Sequence, residues 1–120
     1  MAEPEADTVG EWLTSCERFL SHATREHLVL PGHKLPYRGL PFRLGNMLQN
    51  HHAALERLHA FLARPARVHE CFMTMFSRQI GDSEVGLALA ETLAHLNHLR
   101  RAGRITRQIG PDGAWIWQAV

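Results

Sequence analysis

"HLVLP", His27 to Pro31, limits more than any other stretch what this chain can fold into. It is a short apolar run closed by Pro-Gly, and it reads as a β-strand buried on both faces. A strand needs partners for its backbone N–H and C=O groups, and no run close to it in sequence offers them. The two alternating segments that could pair, "RITRQI" and "AWIWQ", lie far downstream and face each other across "GPDG", a hairpin signal. The expectation is that the sheet around this strand is completed by chain outside the sequence. Residues 1–40 then form the tail of a larger domain.

The remaining segments carry helical periodicity. Thr8 with Glu11 makes a capping-box pattern, and Val9, Trp12, Leu13, Cys16, Phe19 and Leu20 recur at helical spacing to about His22. Pro41 is placed to open a second helix, where its missing N–H costs nothing. Leu44, Met47, Leu48, His51, Leu55, Leu58 and Leu62 continue that helix until Arg64-Pro65 stops it. Val68 to Phe76 is a short helix candidate, and "RQIGDS" a turn with Asp82 or Ser83 available as a cap. Ser83 to Ala102 predicts a long helix that buries Val85, Leu89, Leu93, Leu96 and Leu99, with Gly103 placed to terminate it. Helix, short helix, long helix and hairpin in that order predict a mainly α chain with a small β-hairpin (α+β). The order is that of a winged helix-turn-helix-like domain over 41–120, preceded by a helix–strand remnant over 1–40.

Composition narrows the functions. A net charge of +1 over 120 residues argues against a strong nonspecific grip on nucleic acid or acidic membranes. No apolar run is long enough to span a bilayer, and the acidic, polar start is neither signal peptide nor anchor. Cys16 and Cys71 belong to no Cys-x-x-Cys pattern and read as reduced core thiols in a cytoplasmic protein. Nine histidines, many for this length, bring metal or pH chemistry into consideration.

"EADTVGEWL", then "LVLPGHKLPYRGL", then "RLGNMLQNHHAALERL" together resemble the closing segment of metallo-β-lactamase-fold hydrolases that bear a C-terminal winged-helix extension. In that family a late strand ends in a Pro-Gly-His turn whose histidine binds the second metal ion. The resemblance implies that His33 is a metal ligand. Lys34, which stands where many relatives have glycine, would line the rim of the substrate cleft with Tyr37 and Arg38. The family's His-x-His-x-Asp-His signature is absent from the sequence. The implied protein is therefore a C-terminal accessory domain or fragment of a metal-dependent hydrolase, catalytically incomplete alone. Zinc or another divalent metal would serve the complete enzyme, with none bound tightly by this chain. Its implied partners are a missing N-terminal metallo-β-lactamase domain and, in the full enzyme, a small-molecule substrate. The winged domain would shape the cleft or provide a subunit contact.

Other patterns compete for attention. His52, Glu56 and His59 share one helix face, as do Glu91, His95 and His98 on the long helix. Each reads as a solvated carboxylate–imidazole face, with half a metal site as the sharper alternative. His51 sits in the apolar stripe and reads as a semi-buried, hydrogen-bonded residue. Arg100, Arg101, Arg104 and Arg107 could touch phosphates, which would suit a stand-alone winged-helix regulator. Yet "SEVGLALAE" at the start of the long helix lacks the Arg, Asn or Gln of a base-reading surface, so specific DNA binding is not expected. Trp115 and Trp117 share one face of the last strand, as core or as an interface anchor. Homodimerisation through that face or through helix 7–22 is the remaining alternative.

Overall fold

The computed structural model describes residues 6–32 and 36–120. Helix α1 spans Thr8–His22. Its cap is Asp7, one residue ahead of the predicted Thr8, because the carboxylate oxygen of Asp7 accepts a bond from the Gly10 amide at 2.9 Å. The carboxylate lies so close over Gly10 that a Cβ there would run into it. Val9, Leu13 and Cys16 face inward, whereas Phe19, at the far end of the predicted stripe, is 65% exposed.

Helix α2 spans Leu40–Phe61 with Pro41 in its first turn, as the sequence predicts. It buries Leu44, Leu55 and Leu58, followed directly by Leu62. Beyond Arg64-Pro65 the chain is extended at Ala66 and then turns through a 3-10 segment, Val68–Cys71, into the short helix α3, Phe72–Phe76. The Glu70 carboxylate holds that turn by accepting from the Arg67 amide at 2.9 Å. A second 3-10 turn, Asp82–Glu84, leads into α4, Val85–Arg101, so the regular α-helix starts later than Ser83.

Helix α4 buries Leu96 and Leu99 as predicted, but Leu89 is 39% exposed. Ala88, Thr92 and His95 occupy the inward positions of its first half instead. The helix ends in a Schellman motif: Arg104 N–H donates to Leu99 C=O and Gly103 N–H to Arg100 C=O, each at 3.0 Å. Gly103 has φ +75°, the left-handed conformation that glycine takes without a Cβ penalty.

Strands β1, Ile105–Ile109, and β2, Trp115–Ala119, pair antiparallel with Arg107 opposite Trp117. On its other edge β2 receives Ala66: Ala66 N–H donates to Trp117 C=O at 2.9 Å, and Trp117 N–H to Ala66 C=O at 2.8 Å. The later strand of the hairpin is thus the central one. The core gathers Leu55, Leu58, Leu62, Cys71, Leu96, Leu99, Ile105 and Trp117, with Val9 and Leu13 of α1 closing one side.

The strand expected at residues 27–31 is the largest correction to the fold. Only Val29 takes an extended partner, and that partner is close in sequence: Val29 and Tyr37 exchange N–H···O=C bonds of 2.7 and 3.0 Å. Its neighbours Leu28 and Leu30 are exposed, Leu30 by 75%, not buried on both faces. An apolar run specifies a surface to be covered; it does not specify the strand that covers it.

Candidate functional site

The Val29–Tyr37 bridge ties together the two ends of the segment that carries the Pro-Gly-His sequence. His33 and Lys34 lie outside the described residues. Of the other two predicted rim residues, Tyr37 is half-buried in the bridge and Arg38 is exposed beside it. Upstream, the turn before the bridge is closed by His27, whose Nδ1 accepts from the Thr24 amide at 3.0 Å. The base of the loop is therefore held by hydrogen bonds to backbone, and α2 begins immediately after Gly39.

The two His/Glu faces do not come together as a metal site, and among the described residues no group of three His, Cys, Asp or Glu side chains could hold an ion. Several members have other engagements. Glu56 on α2 makes a two-pronged pair with Arg104, at 2.6 and 3.0 Å, and this hydrogen bonding holds its carboxyl below the ordinary carboxylate range. His98 on α4 reaches the Asp7 carboxylate at 3.1 Å, tying the cap of α1 to α4. His95 turns inward, where its Nδ1 lies 2.8 Å from the Glu91 carbonyl and its Nε2 3.3 Å from His51 Nδ1. His51 is hydrogen-bonded and half-buried, as its place in the apolar stripe suggested. Burial pushes the pKa of both imidazoles below the ordinary value, so the pair is neutral at neutral pH.

Sequence reasoning missed the meeting of His51 and His95. Its trace was there in the spacing: His95 precedes Leu99 by one helical turn and so shares its buried side. The arginine cluster is also partly committed. Arg104 is paired with Glu56, and the Arg107 guanidinium lies over the Trp115 ring at 4.1 Å and the Trp117 ring at 5.3 Å. The two indoles share a face but divide in role: Trp117 is fully buried, while Trp115 is 39% exposed. Cys16 and Cys71 are both buried free thiols, and burial pushes the Cys71 thiol up to about 12, far from a reactive thiolate. Among the described residues no helix is long and apolar enough to cross a membrane.

Residues 55–120 match the family profile described as "Metallo-beta-lactamase-like, C-terminal domain". The chain therefore belongs to the metallo-beta-lactamase-like family and contains its C-terminal domain. Among solved structures it is similar to a beta-lactamase domain protein from Burkholderia ambifaria, at 33% identity and a TM-score of 0.92, over 98% of this chain and 35% of that one. It is also similar to a metallo-beta-lactamase family protein from Thermus thermophilus, at 30% identity and a TM-score of 0.75, over 92% of this chain and 33% of that one. The chain thus spans about a third of the length of each of these structures. No curated protein matches it.

Proposed function

We propose that this chain is the C-terminal accessory part of a metal-dependent hydrolase, catalytically incomplete by itself. The observation that carries the reading is the extent of the likeness to the Burkholderia structure, which takes in 98% of this chain but only 35% of that one. The likeness therefore extends well ahead of the profile match, across the segment that contains His33. In this reading residues 1–40 belong with the catalytic domain and 41–120 form a winged-helix-type domain. Support for the latter is the spatial order Ala66, β2, β1, in which Ala66 comes between α2 and α3 in the chain and the hairpin follows α4.

His33 contributes one ligand to an ion, zinc or another divalent metal, that could act as Lewis acid in the whole enzyme. The described residues do not fit such an ion by themselves. Its other ligands come from the preceding metallo-β-lactamase domain, which also covers the exposed Phe19, Leu28 and Leu30. Lys34, Tyr37 and Arg38 border the substrate cleft, where the cations would favour an anionic small molecule. The winged domain shapes that cleft or supplies a subunit contact. A nucleic-acid regulator has less support, since Arg104 and Arg107 are engaged within the chain.

The test is calorimetric titration of zinc into the metal-stripped 120-residue chain, beside a His33→Ala control. Weak binding that differs little between the two is the expected result. Tight stoichiometric binding that disappears in the control would show a self-sufficient site and overturn the reading.

A further inference from the structure

The His51–His95 contact fixes its own protons. The Glu91 carbonyl can only accept, so His95 carries its hydrogen on Nδ1 and donates it across 2.8 Å. In the neutral ring this leaves Nε2 as an acceptor, and the atom facing it at 3.3 Å, His51 Nδ1, must be the donor. The two rings lie nearly parallel, 12° apart, with centroids separated by 5.4 Å. On the other side of His51 the Trp12 ring of α1 packs at 4.5 Å. The pair thus sits where α1, α2 and α4 meet, and α1 lies ahead of the residues that match the C-terminal domain.

We propose that the His51–His95 pair is an acid-operated latch between α2 and α4 that, through the Trp12 ring packed on His51, braces α1 and loosens it when the pair takes up a second proton. A first proton goes to His51 Nε2 and leaves the bond intact, now charge-assisted. A second has only His95 Nε2 to go to. It sets N–H against N–H and places two cations at hydrogen-bond distance. The Trp12 platform then loses the ring it rests on.

The groups that bear on the pair are Glu91 and His98 on α4 and His52 on α2. Asp7, ahead of α1, acts through its bond to His98. Glu91 favours protonation, whereas His52 opposes it at His51 and His98 opposes it at His95.

Both imidazoles are lowered, mainly by burial, below the ordinary value of 6.5. The unfolded chain accordingly binds protons first as pH falls, so the latch's contribution is complete above that value. It is lost as pH drops through the lowered pKa values. The inference stands apart from the role of His33.

Long-range ¹H–¹⁵N spectra of the imidazoles, combined with hydrogen exchange of α1 corrected for intrinsic rate, test the latch in the 120-residue chain. At about pH 8, above the ordinary imidazole range, His95 is expected as the Nδ1–H tautomer, which free imidazole disfavours. On acidification, protection around Trp12 to Cys16 should fall with a two-proton dependence, while the Gly10 amide, bonded to Asp7, keeps its protection. In His51→Gln a side-chain amide can donate to His95 but cannot titrate, so His95 no longer protonates beside a second cation, and the loss should shift to higher pH and become a one-proton event. An Nε2–H tautomer at His95 would overturn the proposal. So would an unchanged two-proton loss in His51→Gln, or rings that titrate while α1 stays protected. Should His51→Gln fail to fold, the wild-type tautomer and the wild-type α1 protection still decide.

Discussion

Residues 55–120 and the described residues of 6–42 are built to different standards of closure. In the first region Leu58, Leu62, Leu96, Leu99, Ile105 and Trp117 are almost entirely out of water, and three helices and a hairpin share them. In the second, Phe19, Leu28, Leu30 and Phe42 are all largely exposed, Phe42 by 77%. Both regions are rich in apolar residues, so hydrophobicity alone does not separate them. The difference is in whether the chain supplies a second surface. The C-terminal region does, whereas the described residues of the earlier one leave apolar faces uncovered.

Substitutions can break that comparison. Leu58→Ala removes a side chain with no exposure and should cost roughly 2–5 kcal/mol in urea unfolding. A loss below about 1 kcal/mol would mean that the core of 55–120 is looser than described. Gly103→Ala forces a left-handed φ on a Cβ at the end of α4 and should cost about 1–2 kcal/mol by the same measurement. Asp7→Ala removes the cap of α1 and its tie to His98, with about 1 kcal/mol expected from the cap. Its sharper signature is loss of protection at Gly10, with the hairpin amides untouched. Leu30→Ser should change the stability of this chain by no more than about 0.5 kcal/mol. A large effect from that exposed position would show that the region before residue 43 buries more than its surface indicates.

The sequence made the C-terminal half legible because its signals are local and mutually consistent. Pro41, the Arg64-Pro65 stop, Gly103 and "GPDG" each mark a boundary that the structure keeps to within a few residues. The buried side of α4 was less legible. Leu89 gave way to Ala88, Thr92 and His95, because a helix presents whichever face its partners can approach, and the small Ala88 and Thr92 suit the side on which α4 meets α2 and α3. His95 followed the same logic. Its spacing from Glu91 suggested a solvated ion pair, yet the bond it makes is to the Glu91 backbone carbonyl, which leaves the ring free to turn inward. "HLVLP" was read as a strand whose partners lie outside the sequence; within this chain it makes a single bridge, and Leu28 and Leu30 are exposed. Periodicity carries no information about a partner, and Val29 found one in Tyr37. Arg104 and Glu56 illustrate the remaining gap, since two residues so far apart in sequence meet only once the fold exists.

The pairing of Ala66 with Trp117 has a consequence for the order of assembly. β1 and β2 are neighbours in sequence and can zip together on their own, within microseconds. Ala66 must instead close a loop that encloses α3 and α4, a slow and entropically costly step. Its docking is expected to follow closure of the hairpin, and its release to precede the hairpin's opening. The amides of Ala66 and Trp117 should accordingly exchange with solvent together, through an opening that leaves the bonds between β1 and β2 in place. The pairing of Ala66 with the outer edge of β2 acts as a lock set on a hairpin that is already closed.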